Sequence, residues 1–230
     1  DRAPLVLMHE GLGSIALWRA FPHALATATG RRVVAFSRFG HGHSDPPARP
    51  RTAAFYAQEA FDVLPQVLAQ VGARRPILIG HSDGASIALV HASARPVTAV
   101  VLLAPHVFVE PVTLAGIRQA REEYMHGNLR DRLARYHTHV DTAFFSWCDL
   151  WLDPTFAAWN LTAQIARLQA PTLLIQGVED HYATLEQLDR IERGAPAPVT
   201  RVEIRAGHSP HLEAPEETVV AIAAFTASLD

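Results

Sequence analysis

One junction constrains the fold of this chain more than any other feature. The apolar run Pro76-Ile77-Leu78-Ile79 stops at Gly80-His81-Ser82-Asp83-Gly84, and the helix-like stretch Ala85-Ser86-Ile87-Ala88-Leu89-Val90 follows at once. A short buried strand must therefore turn straight into a helix, and the glycines flanking Ser82 relieve the crowding of so tight a turn. Such a turn lifts the Ser82 hydroxyl above the sheet edge and aims the next main-chain N–H groups at it. That is the setting of a nucleophile.

The rest of the chain supplies the sheet this junction needs. Leu5 to Met8, Val33 to Phe36, Ile77 to Ile79, Val97 to Leu103, Thr172 to Gln176 and Val199 to Ile204 are short apolar runs bounded by Gly, Pro or Arg. They read as buried parallel strands. Between them, Ala57, Ala60, Phe61, Leu64, Leu68 and Val71 make one apolar helical face, which Pro65 should kink or restart. Pro215-Glu216-Glu217 opens a C-terminal helix through Val220, Ile222 and Phe225. This alternation predicts an α/β fold, a mostly parallel sheet with helices on both faces.

Residues 110–168 break the rhythm. They carry Trp147, Trp151, Trp159, Tyr124, Tyr136, Phe144, Phe145 and Phe156 and no strand-like run. Ala143, Phe144, Trp147, Leu150 and Trp151 share a helical face, and Asp153-Pro154 looks like an N-cap followed by Pro at the first helical position. The segment reads as a helical lid inserted into a core made of residues 1–109 and 169–230. Most of its aromatic residues should pack the lid onto the body, with two or three left to line a pocket.

Composition narrows the partners. A chain of 230 residues with 49% hydrophobic content can bury one substantial core. A net charge of −3 without a basic stripe argues against nucleic acid. The apolar runs are strand-sized, so no membrane partner is expected. The single cysteine, Cys148, rules out an internal disulfide and leaves the redox compartment open. No signal-peptide pattern is seen, and the sequence does not begin with Met. The expected setting is cytoplasmic and the expected partner a small-molecule substrate; an exposed apolar lid would allow a homodimer.

A serine hydroxyl needs a base to take its proton and an acid to orient that base. Both should sit on loops after later strands. Gly177-Val178-Glu179-Asp180 follows one such strand, and Ala206-Gly207-His208 follows the next. The order Ser82, Asp180, His208, with Gly-x-Ser-x-Gly at a strand-to-helix turn, is that of the α/β-hydrolases. Competitors are His211 for the base and Glu179, Asp149 or Asp153 for the acid.

The chain resembles the lid-bearing, single-domain α/β-hydrolases, and the matches run along nearly its whole length. His9-Glu10-Gly11-Leu12-Gly13-Ser14 resembles the family's His-Gly-rich loop after an early strand. Ser37-Arg38-Phe39-Gly40-His41-Gly42-His43-Ser44 is similar to its Asp-x-Arg-Gly-x-Gly-x-Ser segment. Gly207-His208-Ser209-Pro210-His211-Leu212-Glu213-Ala214-Pro215 is similar to its Gly-His-x-x-x-x-Glu-x-Pro ending. The resemblance implies an oxyanion hole from the N–H groups of Gly11 (Leu12 if the loop is shifted) and Asp83. It also implies Asp180 as the acid and His208 rather than His211 as the base. Two departures stand out: the two strands usually found ahead of Leu5 are omitted or lie outside these residues, and Glu10 stands where the family commonly has Gly.

Remaining expectations concern single residues. The Asp83 carboxylate should point away from the oxyanion and complement the helix it starts, or else meet the leaving group. Glu10 should pair with a basic residue such as Arg38, or else read a polar substrate group. His41-Gly42-His43 and His137-Thr138-His139 have metal-like spacing but lack the Cys or carboxylates of a closed site, and no metal or cofactor is expected. Cys148 reads as a small core residue. Leu12, Phe144, Trp147 and Trp151 are expected to line the substrate pocket. The expected reaction is hydrolysis of a small or apolar carboxylic ester through an acyl-enzyme on Ser82. A carbon–carbon hydrolase, lactonase, thioesterase or perhydrolase could use the same groups, and a non-catalytic ligand receptor could retain them.

Overall fold

The computed structural model describes residues 2–48 and 51–229. All six expected strands are present: β1 (Leu5–Met8), β2 (Val33–Phe36), β3 (Ile77–His81), β4 (Ala99–Leu103), β5 (Thr172–Gly177) and β6 (Val199–Ile204). They form one sheet in the order β2-β1-β3-β4-β5-β6, parallel throughout. β4 begins two residues later than the apolar run suggested, because Val97 and Thr98 still belong to the connection from the preceding helix.

Successive strand residues face opposite sides of the sheet, and two cores result. Val6, Met8, Leu78, Val100, Leu102 and Leu174 pack on one side, and Leu5, Leu7, Ile77, Ile79, Val101, Leu103 and Ile175 on the other. The second side is covered by α1 (Phe21–Thr29) through Phe21 and Leu25, and by the C-terminal helix through Ile222. The first side is covered by α2 (Phe55–Gln58), α3 (Leu64–Gln70) and α4 (Asp83–Ala92). A π-helical turn, Glu59–Val63, separates α2 from α3, with Pro65 in the first turn of α3. Proline has no N–H to bond four residues back, so the wide turn takes up the break. Ala57 is exposed rather than on the buried face.

Between β4 and β5 lie four helices: α5 (Pro111–His126), α6 (Leu129–Ala134), α7 (Val140–Leu152) and α8 (Thr162–Ile165). α7 buries Ala143, Phe144, Trp147, Cys148, Leu150 and Trp151, and all of these but Ala143 join the core cluster that includes α4. Asp153 accepts from the Thr155 N–H and caps the 3-10 turn Pro154–Phe156, as its sequence predicts. The insertion is also tied to the loop after β2. The Gly42 N–H donates to His137 Nδ1 at 3.0 Å, and the Thr138 N–H donates to the Gly42 carbonyl at 2.8 Å. The chain then closes with α9 (Glu186–Gly194), α10 (Pro210–Glu213) and α11 (Pro215–Ala227). Among the described residues no helix is long and apolar enough to cross a membrane.

β1 pairs with β2 on one side and with β3 on the other. The connections leaving β1 and β3 therefore diverge, and a crevice opens between them at the strands' C-terminal ends, where ligands of parallel sheets sit.

Candidate active site

Ser82 follows β3 directly with φ 52°, ψ −114°, one of three non-glycine residues at positive φ among those described. Such a backbone is strained for serine and is held in place by its surroundings. Its N–H donates to the Leu103 carbonyl at 2.9 Å, while its own carbonyl accepts from the Ala85 and Ser86 N–H groups. A Cβ on Gly80 would collide with the Gly84–Ala85 backbone, and one on Gly84 with the Met8 carbonyl. Both motif glycines thus answer to close backbone approach around the turn.

Ser82, His208 and Asp180 come together. His208 Nε2 lies 3.0 Å from Ser82 Oγ, and His208 Nδ1 lies 2.9 and 3.0 Å from the two Asp180 oxygens. Nδ1 therefore carries the ring proton and donates to the carboxylate, leaving Nε2 to accept from the Ser82 hydroxyl. Burial would raise the Asp180 carboxyl, but the His208 hydrogen bond and charge, with the Tyr182 N–H, hold it below its ordinary value. Burial lowers His208 below the usual imidazole value and outweighs the upward pull of Asp180. The His208 loop is braced by Glu213, whose carboxylate accepts from the N–H of Gly207 at 2.7 Å and of Ser209 at 2.9 Å. The Glu of the Gly-His-x-x-x-x-Glu pattern thus has a mechanical role.

The competing residues are engaged elsewhere. His211 is buried against Trp18, Phe21 and His81, with ring centroids 4.7, 5.4 and 4.7 Å away. Glu179 pairs with Arg205 at the surface and Asp149 with Arg121, while Asp153 caps its 3-10 turn.

The loop after β1 faces Ser82 across the crevice. The Glu10 carbonyl accepts from His9 Nδ1 at 2.7 Å, Arg38 Nη2 at 2.8 Å and the Gly13 N–H at 3.1 Å. In a trans peptide the next N–H points opposite to that carbonyl, so these bonds turn the Gly11 N–H toward the cavity. Among the described residues no hydrogen bond takes up the N–H of Gly11 or Asp83, and both residues line the cavity beside Ser82. Leu12 lines it too, while its carbonyl accepts from His137 Nε2 at 3.0 Å.

Two expectations need correction, and one is extended. Arg38 does reach Glu10, but at its main-chain carbonyl; the Glu10 carboxylate instead accepts from His81 Nδ1 at 3.3 Å. His81 Nε2 lies 2.8 Å from the His208 carbonyl. His81 thus has acceptors at both ring nitrogens and links the β1 loop to the His208 loop. Burial would raise the Glu10 carboxyl, but its hydrogen bond and charge interaction with His81, helped by His9 and His211, drive it far below its usual value. Asp83 does more than complement α4, whose first turn it occupies: it accepts from the Tyr56 hydroxyl at 2.8 Å and Trp151 Nε1 at 3.3 Å. Phe144 does not reach the cavity. It is fully buried and stacks on Tyr124, ring centroids 3.7 Å apart, because on α7 it points toward α5 while Trp147 and Trp151 point toward Ser82.

The cavity measures about 220 Å³. Leu12, Ile117, Trp147 and Trp151 give it an apolar side, and Glu10, His81, His106, Tyr182 and His208 a polar one. Trp147 sits over Gly11 so closely that a Cβ there would run into the indole. Ile117, His106 and Tyr182 escaped the sequence reading. His106 and Tyr182 follow strands β4 and β5 at their C-terminal ends, and that position was the available signal.

The matched family model, described as the alpha/beta hydrolase family, spans residues 5–222. The chain belongs to the alpha/beta hydrolase family. Over 91 residues it is 34% identical to a proline iminopeptidase of Lactobacillus delbrueckii subsp. lactis, a stretch covering 40% of this chain and 31% of that relative. Solved structures with the same fold include an enol-lactonase from Burkholderia xenovorans LB400, with TM-score 0.79, 21% identity and coverage of 99% and 92% of the two chains. An esterase from Exiguobacterium antarcticum superposes with TM-score 0.75 at 17% identity, covering 99% of this chain and 92% of its own. At such identities these structures speak for the fold.

Proposed function

We propose that this α/β-hydrolase is a serine hydrolase that cleaves a small, apolar carboxylic ester through an acyl-enzyme on Ser82. The observation that carries the reading is Ser82 Oγ, on a strained turn, 3.0 Å from the free nitrogen of an Asp180-bound His208. His208 Nε2 takes the Ser82 proton as Oγ attacks the ester carbonyl, and the N–H groups of Gly11 and Asp83 receive the oxyanion. The imidazolium returns the proton to the departing alkoxide. Water, deprotonated by the same nitrogen, then releases the acid and restores Ser82.

Cavity size supports a small substrate. An apolar cavity of about 150 Å³ accommodates benzene, so about 220 Å³ suits an acyl group of a few carbons or one ring. The insertion acts as a lid in this reading, since its Trp147 and Trp151 line the cavity that holds Ser82.

The test combines a fluorophosphonate probe with hydrolysis of p-nitrophenyl esters of increasing acyl length. Labelling should vanish in Ser82→Ala and His208→Ala, with turnover greatest for short acyl chains. Labelling without ester turnover would move the reading to another bond or to a ligand receptor, and no labelling would remove it.

A further inference from the structure

His106 lines the cavity with its ring nitrogens unengaged. It is buried at 2% exposure, its Nδ1 is sealed from solvent without a partner, and no hydrogen bond to either ring nitrogen exists among the described residues. Its ring centroid lies 5.1 Å from that of Trp151 and 5.5 Å from that of His208. The main chain that carries it is fixed: the His106 carbonyl accepts from Ser86 Oγ at 2.6 Å, and the Val107 N–H donates to Gln187 Oε1 at 2.7 Å. Two residues earlier, Ala104 follows β4 directly at φ 44°. Positive φ costs alanine free energy, and strain of this kind gathers where a fold must aim a group. Ser82 and Ala104 thus follow the adjacent strands β3 and β4, both at positive φ, and both strands lead into a polar side chain at one cavity.

Burial, reinforced by the nearby His208, pushes His106 down to about 3, so the ring is neutral and carries one proton. A buried donor without an acceptor is rarer, and dearer, than a bare lone pair. The proton therefore belongs on Nε2, the nitrogen left to face the cavity. The charge around it selects what that N–H can meet. Glu10, Asp83 and Glu213 are among the lining residues, and no Arg or Lys is. A carboxylate on the substrate would find no Arg or Lys to pair with there and would add to three carboxylates already present, whereas an uncharged oxygen would not.

We propose that His106 is a specificity-determining residue, donating a hydrogen bond to a second, uncharged oxygen of the substrate close to the reacting carbonyl. The preferred substrates are then short esters whose acyl or alcohol part carries a keto, ether or ester oxygen, rather than plain alkyl esters. The inference rests on the ester-hydrolase reading, and its test separates the two. p-Nitrophenyl methoxyacetate and p-nitrophenyl butanoate have acyl chains of equal length, differing by an oxygen in place of one methylene. Comparing each ester across variants cancels its intrinsic reactivity.

His106→Phe should lower kcat/KM for the methoxyacetate about tenfold more than for the butanoate, the worth of one hydrogen bond to an uncharged acceptor. His106→Gln, which keeps a donor, should recover part of that difference. Equal losses on both esters would overturn the proposal and make His106 structural, as would no loss on either. Should the wild type hydrolyse neither ester, the ester reading fails while His106 is still tested by protection of Ser82 from the fluorophosphonate. Methoxyacetone should then protect better than 2-pentanone in the wild type but not in His106→Phe, and equal protection in both proteins would overturn the proposal.

Discussion

Two imidazole–carboxylate pairs flank Ser82, and they do different work. His208–Asp180 and His81–Glu10 each join a ring Nδ1 to a carboxylate, at 2.9 and 3.3 Å. What differs is the far nitrogen. His208 Nε2 faces the Ser82 hydroxyl, which it can deprotonate, whereas His81 Nε2 faces the His208 main-chain carbonyl, which has no proton to give. The same chemical pair is a base in one position and a strut in the other. The surroundings of the far nitrogen, not the residue types, assign the role.

The sharpest break of this comparison is in turnover. Asp180→Asn should cost about 10³- to 10⁴-fold in kcat, because the ring loses the partner that fixes its tautomer. Glu10→Gln should cost about tenfold or less, since an amide can still accept from His81. Equal losses, measured on one ester, would place His81–Glu10 in the proton transfer. Stability should show the reverse emphasis. His81→Phe abandons acceptors on two loops and should cost about 1–3 kcal/mol in urea unfolding, and an unchanged midpoint would deny the strut.

Acid should act on the buried rings and on the two carboxylates in separate windows. His9, His106, His208 and His211 are lowered by burial, so the unfolded chain binds their protons first. Stability should fall as pH drops below the ordinary histidine value of 6.5, by about 1.4 kcal/mol per pH unit for each ring kept neutral. Glu10 and Asp180 are lowered carboxylates, so the stability they add is lost only below their unfolded values of 4.5 and 3.8. Thermal melts from pH 8 to 4 would resolve the upper window, and a flat profile between 6.5 and 5 would contradict the buried neutral rings. The smallest effect is on activity. Ester hydrolysis should fall with a midpoint below 6.5, since burial holds His208 down, and a midpoint above 6.5 would mean that Asp180 outweighs burial.

Much of this site was legible because its signals are local. Gly80 and Gly84 mark a turn whose backbone contacts exclude any side chain, and Asp180 and His208 each follow an apolar run within a few residues. Pro65 announced a break for a reason contained in its own ring. The partners of Glu10 and the direction of Phe144 were not legible. Glu10 meets a histidine 71 residues away, and Phe144 shares the apolar face of α7 with Trp147. Periodicity places Phe144 and Trp147 on one buried face without saying which of them meets a neighbouring helix and which a cavity.

The sequence by itself determined the six strands, the order of Ser82, Asp180 and His208, and the helical nature of the insertion, because side-chain periodicity and tight-turn sterics act over a few residues. Only the tertiary structure decided what each polar group faces. Parallel pairing of β1, β3 and β4 brings the loops of Glu10, His81 and His106 to one crevice, and there a nitrogen's partner, or its lack of one, depends on chain segments far apart in sequence.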